Sequence, residues 1–137
     1  MSAATTPAAT ARPPIHLIET EADRLTDLAV GAAEALPEVS ELLLTEIDRA
    51  QIHAAGTLPE GVVSMYSTIT FLDGASGKTR EVQLVYPGDA DIGAGRISIL
   101  TPIGAGLIGL SKGQSILWPD RDGNERTLEI VDVRPAP

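Results

Sequence analysis

Apolar and polar positions along the chain change their period twice, and each change marks an element boundary. A short apolar run, Ile15 to Ile18, is followed by Leu25, Leu28, Ala32 and Leu36 at helical spacing. Thr20, with Asp23 three positions on and acids through the first turn, predicts the start of that helix. Leu36-Pro37 interrupts the series, and Val39, Leu43, Ile47 and Ala50 begin a second one. Two short helices joined by a tight turn predict an antiparallel hairpin. From Val62 the period falls to two: Val63, Met65, Ser67, Ile69 and Phe71 alternate with Ser64, Tyr66, Thr68 and Thr70, and Val82, Leu84 and Tyr86 alternate with Gln83 and Val85. Further strands are predicted at Arg96 to Thr101, Gln114 to Trp118 and Glu125 to Val133, with a short helix after the Thr101-Pro102 break. A helical hairpin before a mostly antiparallel sheet is an α+β layout. Ahead of it, Met1 to Pro14 is rich in Ala, Thr and Pro without an apolar period, which predicts a disordered tail over 1–14.

Composition narrows the function classes. With 137 residues, 43% of them hydrophobic, the chain suffices for one core plus an appendage. Cysteine is absent, which excludes disulfides and thiolate metal sites. No basic segment leads into an apolar one at the N-terminus, and no run approaches the roughly 18 apolar residues of a membrane span, so a soluble, cytoplasmic protein is expected. The formal net charge of −9 opposes attraction to nucleic acid, whose binding rests on Lys and Arg at the phosphates. Tyr66, Phe71, Tyr86 and Trp118 are too scattered in sequence to predict a base-stacking platform. Charge alone favours a basic protein partner and argues against sequence-specific nucleic-acid binding.

Several motifs tempt a chemical reading. Gly104, Gly106 and Gly109 fit G-x-G-x-x-G after a strand-like run, the local pattern of a dinucleotide site. Ser111-Lys112-Gly113, however, ends the helix after about two turns, too soon for the crossover a Rossmann unit requires. Glycines that allow close packing are the better explanation. Gly77-Lys78-Thr79 matches the end of a P-loop, yet Leu72 stands where its first glycine belongs, and a strand follows where a helix is required. Asp120-Arg121-Asp122-Gly123-Asn124 lacks the ordered ligands of a calcium loop and reads as a turn. Asp89 and Asp91 form an acidic pair with no third ligand, and are read as solvated loop carboxylates. His16 and His53, far apart in sequence, have no credible Ser or Cys partner for a triad, and His53 is read as complementing the dipole at the end of the second helix. No cofactor and no metal are called for.

The phrases LVYPGDADIGAGRISILTPIGAGLIGL and GQSILW resemble the C-terminal domain of the Gre transcript-cleavage factors, and still more closely the Rnk group of Gre-like proteins, named as regulators of nucleoside diphosphate kinase. The likeness runs from about Val39 to Val133 through several separated motifs in order. It implies a short coiled-coil hairpin over 15–56 and an FKBP-like sheet domain over 57–137. It also implies RNA polymerase as the partner. Gre factors insert a long coiled coil into the polymerase secondary channel, where its acidic tip helps hold a magnesium ion and the polymerase cleaves backtracked RNA.

Length separates this chain from that activity. Helices of about sixteen residues reach only ~24 Å at ~1.5 Å per residue, several turns short of a Gre arm. The expected tip, Glu34-Ala35-Leu36-Pro37-Glu38, carries Glu34 and Glu38 but no adjacent acidic pair. The resemblance therefore implies a protein that binds polymerase in competition with Gre factors, without stimulating cleavage. Its docking surface falls on Leu100, Thr101, Pro102, Ile103 and Leu107, where a proline-fixed loop would present Ile103 and Leu107 as apolar anchors. Leu100 replaces the polar residue usual in cleavage factors, so their particular contacts are not expected. Two other classes stay open: a peptidyl-prolyl isomerase, from the fold superfamily, and a direct regulator of nucleoside diphosphate kinase, from the family's name. The four dispersed aromatics argue against the pocket an isomerase needs.

Overall fold

A computed structural model describes residues 13–74, 76–119 and 125–136. The expected tail up to Arg12 and the expected turn at 120–124 lie outside the described residues. The architecture is a mixed α+β one.

The apolar run before the first helix is itself a strand, β1 (His16–Ile18), paired in parallel with β2 (Gln51–His53). Helix α1 (Glu19–Gly31) follows at once, so its start lies one residue before the expected Thr20 cap. The reason is local: pairing with His53 holds Ile18 extended, and the helix begins at the next residue without a side-chain cap. Glu19 and Glu21 in the first turn still favour the positive end of the helix dipole. Helix α2 (Pro37–Arg49) opens on Pro37, where the missing N–H has no helical acceptor to lose. Leu36 consequently lies outside both helices and is 41% exposed, not the last member of the first apolar stripe.

At the tip, the buried Ser40 hydroxyl donates to the Ala29 carbonyl at 2.7 Å, and these two small residues let the helices approach closely. The base is closed by Arg49, which donates to both carboxylate oxygens of Glu46 at 3.0 and 2.7 Å and to the Pro13 carbonyl at 2.6 Å. Glu46 is 1% exposed, so this guanidinium neutralises a charge taken almost wholly out of water. The cation at the C-terminal end of α2 is thus Arg49, whereas His53 belongs to β2. His16 and His53 are also not apart. Their ring nitrogens meet at 2.9 Å across the parallel pair.

A second sheet holds β3 (Thr68–Asp73), β4 (Lys78–Val85), β5 (Arg96–Ser98), β6 (Ser115–Pro119) and β7 (Glu125–Arg134) in the order β5-β4-β3-β7-β6. All neighbours are antiparallel except β4 and β5. The alternation that starts at Val63 becomes ladder only at Thr68. Val63 donates instead to the Leu110 carbonyl, and Tyr66 at φ 68° turns the chain before β3. The strand expected over Arg96 to Thr101 likewise stops at Ser98, because Thr101 is needed to cap the following helix α3 (Pro102–Leu107). Ile15, Leu17, Leu25 and Leu43 from the hairpin region share one buried cluster with Ile69, Phe71, Leu107 and Trp118.

Replacing Arg49 with Met should lower the unfolding free energy by about 3 kcal/mol, since it strips a buried carboxylate of its bidentate partner. Adding Glu46→Gln should restore part of the loss. Urea denaturation of both variants measures this, and an unaltered Arg49→Met midpoint would show that the pair holds nothing together.

Candidate functional site

The segment Ser98 to Leu107 is shaped by a threonine and two glycines. Thr101 Oγ donates to the Ser98 carbonyl at 2.7 Å and accepts from the Gly104 N–H at 3.1 Å, which caps the six-residue α3 from its own chain. A Cβ on Gly104 would run into the Ser98 carbonyl, and one on Gly106 would lie 2.8 Å from the Trp118 ring. Gly109, at φ +81°, reverses the chain after the helix. All three glycines of the G-x-G-x-x-G match are therefore accounted for by packing and turning. Trp118, fully buried, donates from its indole N–H to the Pro102 carbonyl and so ties the Pro102 end of α3 to β6.

Of the expected docking residues, Leu100, Thr101, Pro102 and Ile103 are half-buried and keep part of their surface open. Leu107 does not. It is fully buried, as is Ile108, because α3 turns that side onto the core cluster. An apolar anchor for a partner at Leu107 is thereby ruled out, and Ile103 is the one isoleucine or leucine of α3 itself with surface left to offer.

Thr101, Pro102 and Ile103 form one wall of a cleft of about 400 Å³. Phe71 from β3 and Val82 from β4 make its floor, Ile97 from β5 extends it, and Ile92 from the 87–95 loop stands at its rim. Ile92 is 81% exposed, unusual for an isoleucine beside an apolar cavity. Two cations enter the same cleft. Arg80, opposite Phe71 in the β3–β4 ladder, stacks its guanidinium 5.9 Å from the Phe71 ring centroid. Arg126, opposite Trp118 in the β6–β7 ladder, lies 3.4 Å from the Asp73 carboxylate.

The sequence points to Thr101, Pro102 and Ile103 as a docking edge but carries no functional signal for Arg80, Ile92 or Arg126. Arg80 and Arg126 are 46 positions apart, and only the β4-β3-β7 order brings them to one place. Phe71 and Val82 carry a signal only as buried positions of alternating strands.

A second cluster corrects the expectation that the aromatics are dispersed. Tyr66 and Tyr86 meet edge to face at 5.8 Å between centroids, and the Arg24 guanidinium sits 4.0 Å from the Tyr86 ring centroid. Tyr66 donates its hydroxyl to Asp89 at 2.7 Å, and this bond to a carboxylate, which favours the protonated phenol, holds the Tyr66 pKa above its ordinary value. Burial does the same to Tyr86. Nearby on α1, burial raises the Glu21 carboxyl, partly offset by the Met65 N–H that it accepts.

The remaining candidates resolve into structure. Asp91 accepts from the Ala94 N–H and faces Arg96 at 3.7 Å, so it serves the loop itself, while Asp89 ties the loop to Tyr66. Among the described residues, no three His, Asp or Glu side chains gather as a metal would need. Gly77 donates to the Asp73 carbonyl in the β3–β4 turn, and Lys78 and Thr79 continue as strand, leaving no phosphate cradle. Glu34 and Glu38 are both exposed at the hairpin tip, one in the turn and one in the first turn of α2. Each hairpin helix has 13 residues, a span of about 20 Å. No helix among the described residues is long and apolar enough to cross a membrane.

Comparison with known proteins adds the following. The family model described as "Transcription elongation factor, GreA/GreB, C-term" matches residues 58–135. The regulator of nucleoside diphosphate kinase of Escherichia coli strain K12 is 32% identical over 126 residues, covering 92% of this chain and 93% of that protein. Transcription elongation factor GreA of Azorhizobium caulinodans is 35% identical over 107 residues, covering 75% of this chain and 68% of its own length. Among solved structures, the prokaryotic transcription elongation factor GreA/GreB from Nitrosomonas europaea superposes with a TM-score of 0.69 at 33% identity, over 88% of this chain and 99% of that one.

Two outcomes follow from the local geometry. Gly106→Ala should lower stability by about 2 kcal/mol, because the buried indole cannot retreat, while Gly31→Ala, with nothing within 4 Å, should leave it unchanged or slightly higher. Equal melting temperatures for the two variants would refute the close approach at Trp118. Glu21→Gln carries a pH signature. A carboxyl raised above its ordinary 4.5 by burial contributes stability that is complete below that value and declines as pH rises through its folded value. The variant should therefore gain on the parent between pH 4 and 7, read as the difference of their melting temperatures, and a difference constant with pH would contradict the burial.

Proposed function

This chain belongs to the GreA/GreB family, and from that membership we propose that it is a cytoplasmic regulator of the Rnk type that docks on RNA polymerase at the secondary channel, competes there with Gre factors and leaves transcript cleavage unstimulated. Family membership makes it a transcription factor of the Gre type. What carries the finer reading is the hairpin: 13 residues per helix, with Glu34 and Glu38 separated by the turn. Such an arm supports attachment without reach, since the cleavage activity implied for long Gre arms requires acids delivered to a distant magnesium ion. The half-exposed Thr101-Pro102-Ile103 loop, tied down by Trp118, supports docking on the sheet side with little ordering cost.

One observation favours a second reading. The Escherichia coli relative that covers nearly the whole chain is named a regulator of nucleoside diphosphate kinase, so the kinase is a candidate partner in its own right. A peptidyl-prolyl isomerase gains nothing from the cleft, whose lining has Phe71, in the floor, as its single aromatic side chain among the described residues. Nucleic acid is equally poorly served by a chain of net charge −9.

Purified protein should bind core RNA polymerase, displace a labelled Gre factor from it and fail to shorten RNA in stalled elongation complexes. Ile103→Asp and Pro102→Asn should weaken that binding about thirtyfold, the worth of an apolar anchor of about 2 kcal/mol, while circular dichroism shows both variants folded. Strong cleavage stimulation by this protein alone overturns the regulator reading. Retention of wild-type affinity by both folded variants moves the docking surface elsewhere, and capture of nucleoside diphosphate kinase with no polymerase in a pull-down supports the second reading.

A further inference from the structure

The cleft beside the docking loop is built for more than an apolar side chain. Its hydroxyls are already engaged: Ser98 Oγ accepts from the Leu100 N–H at 3.0 Å, and Thr101 Oγ caps α3. The polar groups left are guanidinium groups. Among the described residues Arg80 makes no ion pair, its contact being the face of Phe71. Among the described residues Arg126 has a single ion contact, 3.4 Å from Asp73, and its buried Nε has no hydrogen-bond acceptor. An arginine brings five donors in a planar fork, so at the edge of this cleft several N–H groups stay available to an anion. The charge is local and opposite to that of the chain, which is −9 overall.

We propose that this cleft recognises a peptide segment of a protein partner in which a branched apolar side chain stands beside a carboxylate, with Arg80 and Arg126 selecting the acid. The apolar side chain lies on Phe71 and Val82 between Ile97 and Ile103, and the carboxylate turns to the two guanidiniums. A peptide suits the site better than a small free acid because of the rim. Ile92, 81% exposed, lies on the 87–95 loop at the cleft's margin, and covering it together with Ile103 takes a surface wider than a ligand seated in about 400 Å³. The assignment deepens the docking reading, since the cleft shares its wall with the same loop, and rests on that reading only for which protein supplies the segment.

The test uses the full chain, labelled with nitrogen-15 and titrated with three blocked peptides: acetyl-Ala-Leu-Asp-Ala-amide, its Asn counterpart, and a version with Ala in place of Leu. The Leu-Asp peptide should shift the amide signals of Arg80, Ile97, Ile103 and Arg126 and bind at least about fivefold more tightly than either of the others. Arg80→Glu, at an exposed strand position, should abolish the preference for Asp over Asn with the fold intact. Arg126→Lys, which keeps a positive charge beside Asp73 but loses the planar fork, should reduce it. Equal binding of the Asp and Asn peptides, equal binding of the Leu and Ala peptides, or shifts confined to residues outside the cleft each overturn the proposal. The same Arg80→Glu protein, assayed on core RNA polymerase, separates the two readings. Lost peptide preference with undiminished polymerase binding supports the cleft and overturns polymerase as the source of the segment, whereas loss of both supports both.

Discussion

Trp118 and the helix packed on it set the geometry from which the candidate site follows. The indole is fully buried, its N–H is held by the Pro102 carbonyl, and its ring occupies the space where Gly106 would otherwise carry a side chain. Gly104 does the same against the Ser98 carbonyl, so α3 is drawn onto β6 on one side and onto the end of β5 on the other. A helix of six residues has little stability of its own. It persists because Thr101 caps it and the core holds Leu107, and the same restraint leaves Thr101, Pro102 and Ile103 facing outward as a stiff edge. A pre-ordered edge loses little entropy when a partner settles on it.

The hairpin is anchored in a comparable way, at its base and not along its length. β1 and β2 pair across it, His16 and His53 touch there, and Arg49 reaches from the last turn of α2 to Glu46 and to Pro13. Ile15 and Leu17 run from that base into the common core. Toward the tip the helices are held by small residues, Ala29 and Ser40, and end in exposed acids. Such an arm is short and firmly rooted, which suits a lever against a partner's surface better than a probe into a deep channel.

The electrostatics of the site run against the chain's average. Net charge places the protein among acidic partners of basic surfaces, yet the cleft gathers Arg80 and Arg126 around an apolar floor. Of the nearby acids, Asp73 pairs with Arg126 at 3.4 Å, whereas Asp89 is bound by Tyr66 and Asp91 by the Ala94 N–H and Arg96, which leaves Arg80 uncompensated among the described residues. A far field and a near field of opposite sign can serve different steps, long-range steering by the first and local selection by the second.

The sequence by itself determined the class of the fold, the two helices and their brevity, the approximate places of β3 to β7 and the family, because periodicity and turn chemistry act over a few residues at a time; the start of β3, the end of β5 and the strand β2 it did not determine. It also disposed of the nucleotide and P-loop motifs, since each demands a following element whose absence shows in the pattern. Phe71 and Leu84 are buried where alternation placed them. What the sequence left undecided depends on contacts between distant residues. Ile18 is extended because of His53, Tyr66 turns the chain where alternation alone continues a strand, and Leu107 is core although its neighbour Ile103 is not. The cleft is the clearest instance. Its two arginines have no motif in common, and only strand order and register set them around the same apolar floor, since side-chain convergence is a property of the sheet and not of any one strand.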